Sequence, residues 1–336
     1  MKLISYNLNI GTAHYNALSK CQRDGDAIAQ KFGYKIYYRN KKVGNRLHQI
    51  VVKYLDYLHF LWLMLSADDF LLQYPIYVFQ NLAPITKFFM RFAHVTYWVV
   101  DINSIRFPEE NLKDDIDWIK RVKRLILPSI QMWDFLKEHG LSDNKYEIII
   151  HNLQDYLTDS ANTNIHEKNG PICFAGNLGK SQFLQQPIMA DIPLSFFLYG
   201  APEKLPSYPN YFYKGKFYPE DISSIEGGWG LVWDGDSCET CSGYLGQYLK
   251  YNASHKISLY IVSSIPVIIW SQSSVSHYIL SHNLGIAVDS LLDIPKCIAE
   301  ISEEEYACMV DCVKEEAKLM RAGYHIGSAI KGTENA

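Results

Sequence analysis

Lys256 is the residue whose type and surroundings point most directly to chemistry. It lies within Gly230 to Trp270, where an apolar run from Leu231 to Trp233 stops at an acidic, glycine-rich loop. A polar segment ending at Asn252 and Ser254 follows. His255 to Ser263 then shows helical apolar spacing until Pro266 interrupts it, and Val267 to Trp270 reads as the next buried strand. The order is strand, loop, helix, strand, with Lys256 in the first turn of the helix. Backbone N–H groups at a helix N-terminus, joined by a lysine, suit a diphosphate. The same residues also fit an ordinary βα unit with a surface lysine. Asp234, Asp236, Ser237 and Glu239, in the loop after Trp233, offer charged acceptors for neutral hydroxyls, or simply an acidic surface loop.

These residues need a frame, and the chain supplies one by alternation. Strand-like segments are Lys2 to Asn7, Lys35 to Tyr38, Phe70 to Tyr74, Thr96 to Ile102, Leu125 to Leu127 and Glu147 to Ile150. Helical patterns fall at Ser19 to Phe32, Asn45 to Leu65, Leu82 to Ala93, Glu109 to Val122 and Ile130 to His139. Asn152 to Asn169 is polar and reads as a linker. A second alternation then runs through strands at Ile172 to Phe174, Leu194 to Tyr199, Tyr211 to Lys214, Gly230 to Trp233, Val267 to Trp270 and Gly285 to Val288. Helices are expected at Asp221 to Glu226, His255 to Ser263, Val275 to His282 and Leu291 to Ile301, and a last one, Glu303 to Met320, is expected to return toward the first domain.

The expected organisation is therefore α/β, with domains at 1–151 and 171–320, a linker at 152–170 and a tail at 321–336. Doubly wound sheets bind ligands beyond their strand C-terminal ends. That rule draws attention to Gly176, Asn177 and Lys180 after one strand and to Asp101 at the end of another. Asn9 to His14 follow the first strand, and Lys20 and Asp24 open the next helix.

Composition excludes several classes. The formal net charge is −4 with no basic block, which argues against a nucleic-acid partner. The 24 tyrosines suit stacking against sugars, although they suit plain cores as well. Seven scattered cysteines, an odd number, argue against a disulfide framework. Cys238 and Cys241 form a C-x-x-C without a second pair at ligand spacing, so no metal is expected. The N-terminal stretch lacks a signal-peptide pattern. The apolar segment Tyr54 to Leu65 is too short to span a bilayer, so a cytoplasmic location is expected. That segment suits either an interfacial helix against a membrane or a helix buried in the first domain.

Taken in order, WDGDS, ETCSG, YLK-Y-N, HK-SLY and IPV-IW resemble the bacterial β-1,6-galactofuranosyltransferases of polysaccharide and O-antigen gene clusters. A more distant likeness runs to the glucosyltransferases that extend glycans on streptococcal adhesins. The resemblance is dense from about Gly230 to Val288. Upstream it rests on FAGN (Phe174 to Asn177) and on Asp101.

The resemblance implies a GT-B fold, two Rossmann-like doubly wound domains facing a central cleft. It implies inverting transfer from UDP-galactofuranose to a sugar acceptor, an α-glucosyl unit in a β-1,6 linkage, during surface polysaccharide biosynthesis. Neither a metal nor another cofactor is implied. Gly176, Asn177, Lys180, Asp236, Glu239, Lys256 and Ser258 are then donor-binding candidates, with Ser258 donating to the same diphosphate as Lys256. Asp101 is the candidate base that takes the proton of the acceptor hydroxyl. Relatives often have His-Asp where this chain has Val100-Asp101, which leaves the carboxylate alone in that role. They match Cys241 but not Cys238. The acceptor is expected to be lipid-linked, with peripheral membrane contact and homo-oligomerisation left open. A UDP-glucose transferase and a non-catalytic sugar-nucleotide-binding subunit are the competing readings.

Overall fold

The computed structural model describes residues 1–7, 17–38, 45–76, 80–107, 109–201 and 205–332. The Asn9 to His14 loop lies outside the described residues. The chain divides into two compact units. The first holds six parallel strands: β1 (Leu3–Asn7), β2 (Lys35–Tyr38), β3 (Asp69–Tyr74), β4 (Val95–Val99), β5 (Arg124–Leu127) and β6 (Glu147–Ile150). They are ordered β2-β1-β3-β4-β5-β6. Helices α1 (Ala17–Lys31), α2 (Arg46–Ser66), α3 (Ala83–Phe89), α4 (Asn103–Arg106), α5 (Leu112–Ile119) and α6 (Ile130–Glu138) connect them. Parallel strands sandwiched between helices are buried on both faces, so they read as apolar runs; all five residues of β4 are buried. Side-chain caps fix where three of the helices begin. Asn45 accepts from the His48 N–H at 2.9 Å, Asn111 from the Lys113 N–H at 3.0 Å, and Ser129 from the Met132 N–H at 3.1 Å.

A carboxylate is buried at the reversal of strand order in this sheet. Asp26 of α1 accepts from Asn7 Nδ2 at 2.6 Å and from Gln73 Nε2 at 3.2 Å, at the ends of β1 and β3. Burial pushes its carboxyl from 3.8 up to about 6, while bonds from Asn7 and Tyr38 pull the other way. A raised carboxyl stabilises the fold fully below the unfolded value, and that stability is lost as pH climbs through the folded value. Stability is expected to fall by about 3 kcal/mol between about pH 4 and just above pH 6. Urea midpoints of the parent and of Asp26→Asn across this range check it, since the variant should lack this fall.

The second unit carries β7 (Ile172–Ala175), β8 (Phe196–Tyr199), β9 (Tyr211–Gly215), β10 (Trp229–Val232), β11 (Val267–Trp270) and β12 (Gly285–Val288), again all parallel. Their order is β12-β11-β10-β7-β8-β9, so the chain direction across the sheet reverses between β7 and β10. Helices α7 (Gly243–Tyr248), α8 (His255–Val262), α9 (Ser276–Ser281), α10 (Ile294–Glu300) and α11 (Glu303–Ala322) complete it, with the start of α1 up to Cys21.

Four expectations change. The segment expected as a polar linker is a strap bonded along 219–227 of the second unit. Thr158 Oγ1 donates to the Glu220 carbonyl at 2.7 Å, and Asn162 Nδ2 to the Ile225 carbonyl at 2.7 Å. Tyr156 is buried beneath it and Arg321 clamps it, donating to the Thr158 and Ser160 carbonyls. Its Asn and Thr side chains satisfy backbone carbonyls, and Ser160 bonds the Asp221 carboxylate and the Ile222 N–H, instead of solvating a tether. Residues 221–226 are loop with a turn at 223–224, and not a helix. Helix α11 packs on α8 within the second unit rather than on the first, through Val313, Ala317 and Met320 in the shared core. The expected tail holds a helix among its described residues: α12 (Tyr324–Lys331) joins the first unit from Ile326, and there Arg124 donates to the Ala329 and Ile330 carbonyls. Among the described residues no helix is long and apolar enough to cross a membrane.

Candidate functional site

The site is built where β7 and β10 part, the position at which an open α/β sheet leaves a crevice. The two strands pair only at Ile172 with Trp229 and at Cys173 with Gly230. Beyond that, the buried Tyr260 of α8 inserts between them. Its hydroxyl accepts from the Ala175 N–H at 2.8 Å and donates to the Leu231 carbonyl at 3.2 Å. The wedge requires a residue without a side chain on β10, because a Cβ at Gly230 would stand 2.2 Å from the Tyr260 ring.

One turn earlier on α8, Lys256 reaches the mouth of this crevice. Its Nζ donates to both carboxylate oxygens of Asp234, at 2.7 and 2.8 Å, lies 3.4 Å from the Trp233 carbonyl and sits 5.3 Å above the Phe174 ring. Phe174 and Gly176 belong to the end of β7, and Trp233 and Asp234 to the end of β10. The ammonium is therefore suspended over the strand ends, with only 16% of its side chain exposed. Gly176 leaves it room: a Cβ there would come within 3.2 Å of Lys256 Cε.

The neighbouring loops carry the other candidates. Asn177 and Lys180 are exposed in the turn after β7, where the Lys180 N–H donates to the Asn177 carbonyl at 3.1 Å. Asp236 and Glu239 are exposed in the loop after β10. Asp236 already accepts from the Ser242 hydroxyl, and its carbonyl accepts from Gln186. That loop is anchored by Trp233, which donates to the Ser237 carbonyl at 2.9 Å, and by Cys238 and Cys241, both fully buried in the apolar core. Burial raises both thiols, Cys238 to about 11, so they stay protonated and act as apolar anchors. Among the described residues no three His, Cys, Asp or Glu side chains gather where they could hold a metal ion.

Ser258 does not join this group. Its hydroxyl is fully buried and donates to the Gln154 carbonyl at 2.7 Å, two residues round the helix from Lys256 and thus on its opposite side. His255 is also turned inward, its ring stacked on Tyr156 at 5.0 Å, and Tyr156 in turn lies under the Lys20 ammonium at 4.6 Å. Burial first, and the Lys20 charge second, depress the His255 imidazole to about 3, so it is neutral at any working pH. The Asp234 partnership and the Tyr260 wedge escaped the sequence reading. Only the spacing of Tyr260 one turn after Lys256 hinted at either.

Asp101 stands in the first unit, two residues beyond β4. Its carboxylate is 13% exposed and is bonded by Arg106 Nη1 at 3.0 Å from the end of α4. Arg106 itself lies against the Phe107 ring.

Two Rossmann-like doubly wound domains in series are the architecture of the GT-B class of α/β protein. Solved structures of that class match along nearly the whole chain. Anabaena HepE, crystallised with UDP and glucose, aligns at a TM-score of 0.57 with 10% identity over 98% of both chains. An alpha-glucosyltransferase crystallised with UDP and DNA aligns at 0.51 with 13% identity, over 98% of this chain and 95% of that one.

Family models sharpen the class. The N-terminal domain of the glucosyltransferase 3-like family matches residues 2–153 and its C-terminal domain matches residues 172–333, and the chain belongs to that family. Glucosyltransferase 3 of Streptococcus gordonii is 30% identical over 240 residues, 69% of this chain and 68% of that protein. The beta-1,6-galactofuranosyltransferase WbbI of Escherichia coli (strain K12) is 30% identical over 208 residues. That match spans 60% of this chain and 60% of WbbI.

Proposed function

We propose that the protein is an inverting glycosyltransferase that takes a UDP-sugar, with UDP-galactofuranose as donor and a saccharide acceptor. The observation that carries the reading is the Lys256 ammonium, held over the ends of β7 and β10 in a chain of this family. Cleavage of the bond between the anomeric carbon and the diphosphate oxygen leaves negative charge on the departing UDP. A fixed cation stabilises that growth more than it stabilises the ground state. The acceptor oxygen attacks the opposite face of the anomeric carbon, and Asp101 receives its proton. Gly176, Asn177 and Lys180 border the donor on one side, with Asp236 and Glu239 on the other.

The galactofuranosyl donor and β-1,6 linkage follow the WbbI likeness. A glucosyl donor is the second reading, favoured by the longer match to the Streptococcus gordonii protein. Incubation with UDP-galactofuranose and with UDP-glucose, each with an alkyl glucoside acceptor, separates them by which donor yields a disaccharide. No product from either donor, with product restored by a second protein, identifies a non-catalytic subunit instead. Because Lys256 supplies the positive charge, turnover is expected to be unchanged in EDTA. Loss in EDTA with recovery on adding manganese would assign the charge to a divalent ion.

A further inference from the structure

We propose that α2, with α3 beside it, is a docking face for an anionic lipid bilayer, lying in the plane of the headgroups. Helix α2 is two-sided. Tyr57, Phe60, Leu61 and Met64 are buried, with the Phe60 ring against Tyr6 and Phe70 of the first sheet, while Leu47, Tyr54, Leu55, Leu58 and Trp62 form a stripe on the outer side. These outer residues are 52–71% exposed, a large apolar surface to leave in water. Helix α3 extends it, tied to α2 by the Tyr57 hydroxyl at 3.0 Å from Thr86 Oγ1. It adds Phe88 at 51% and, just beyond its end, Phe92 at 66% exposure. Trp, Tyr and Phe beside Leu is the composition of an interfacial helix.

Charge selects the occupant. Among the described residues from Gly33 to His94 there are five Lys and Arg against three Asp, a net +2 in a chain whose total is −4. The single acid of α2, Asp56, is buried on its inner side, so no carboxylate lies on the outer stripe. At one end Lys2 sits over the Trp62 ring at 4.5 Å, with the exposed Asp68 carboxylate accepting from its backbone N–H, and at the other end Arg46 is exposed. Beside Phe88, Lys87 and Arg121 share one carboxylate, Asp117, at 2.6 Å each, with exposed Arg91 adjoining. A cationic rim round an apolar stripe complements anionic headgroups over acyl chains. A second copy docked through the same face would bring that rim against itself, like charge facing like.

This inference stands apart from the donor-site reading, and its test needs no turnover. The full chain is mixed with phosphatidylcholine vesicles with or without phosphatidylglycerol, and bound protein is measured by flotation. Binding is expected only with phosphatidylglycerol and is expected to weaken as salt rises. Leu58→Glu with Trp62→Glu should cut partitioning on the order of a hundredfold or more. Both positions are exposed, and an unchanged circular dichroism melt establishes that the variant folds. Arg46→Glu with Arg91→Glu should weaken binding with the apolar stripe intact. Protein that floats with neither vesicle overturns the proposal. So does sedimentation as a dimer that the Leu58 and Trp62 changes convert to monomer, since that outcome makes the face a self-interface.

Discussion

Lys256→Ala is expected to lower kcat/KM roughly 30- to 1,000-fold, about 2–4 kcal/mol of lost transition-state stabilisation. The size follows from the site's geometry. The ammonium is largely withdrawn from water, so the charge it offers a departing diphosphate is little screened. Its present partner shapes the result. Removing the lysine leaves the Asp234 carboxylate, which it now bonds twice, facing the incoming phosphates as a like charge. UDP binding should therefore fall along with turnover, and adding Asp234→Asn to Lys256→Ala should restore part of the lost affinity. Calorimetric UDP affinities for the parent, both single variants and the double variant complete the cycle. Unchanged UDP affinity in Lys256→Ala would remove the lysine from the diphosphate site.

Asp101→Asn tests the other half of the reaction. The substitution keeps the shape and the capacity to accept from Arg106 but cannot take up a proton. Turnover is expected to drop on the order of 10²-fold or more, with UDP affinity unchanged. Arg106→Ala serves as the control, since it removes the bonded neighbour and leaves the carboxylate. Loss confined to turnover in Asp101→Asn, against a smaller loss in Arg106→Ala, marks the carboxylate as the base. Near-parental turnover in Asp101→Asn would transfer that role elsewhere in the first domain.

The frame was legible because its strands are buried on both faces. Val267 to Trp270 and Gly285 to Val288 were bounded from apolar runs alone and lie at β11 and β12. The start of α8 was legible from Ser254 and its end from Pro266, residues whose backbone preferences are local. What local pattern could not carry was direction and distance. Ser258 and Lys256 are neighbours on paper and opposed on the helix, whereas Lys256 and Asp234 are 22 positions apart and in contact. Helix α7 was missed because two of its six residues are glycine, which weakens any helical signal. The strap from Tyr156 to His166 looked like a tether because its composition is polar. Only its partners, the carbonyls between Pro219 and Gly227, show why that polarity is there.

The Tyr260 wedge bears on how this protein can distinguish one donor from another. The side chain that parts β7 from β10 and the cation over their ends are carried by one helix, four residues apart. Crevice width and cation position are thus geared together, and neither adapts to a bulkier or slimmer sugar without disturbing the other. On the proposed function, the sheet and α8 would serve as a fixed gauge for the nucleotide and its phosphates. Discrimination between a five-membered and a six-membered sugar ring then falls to the loops on either side, 177–181 and 234–242, whose exposed residues can change while that gauge stays as it is.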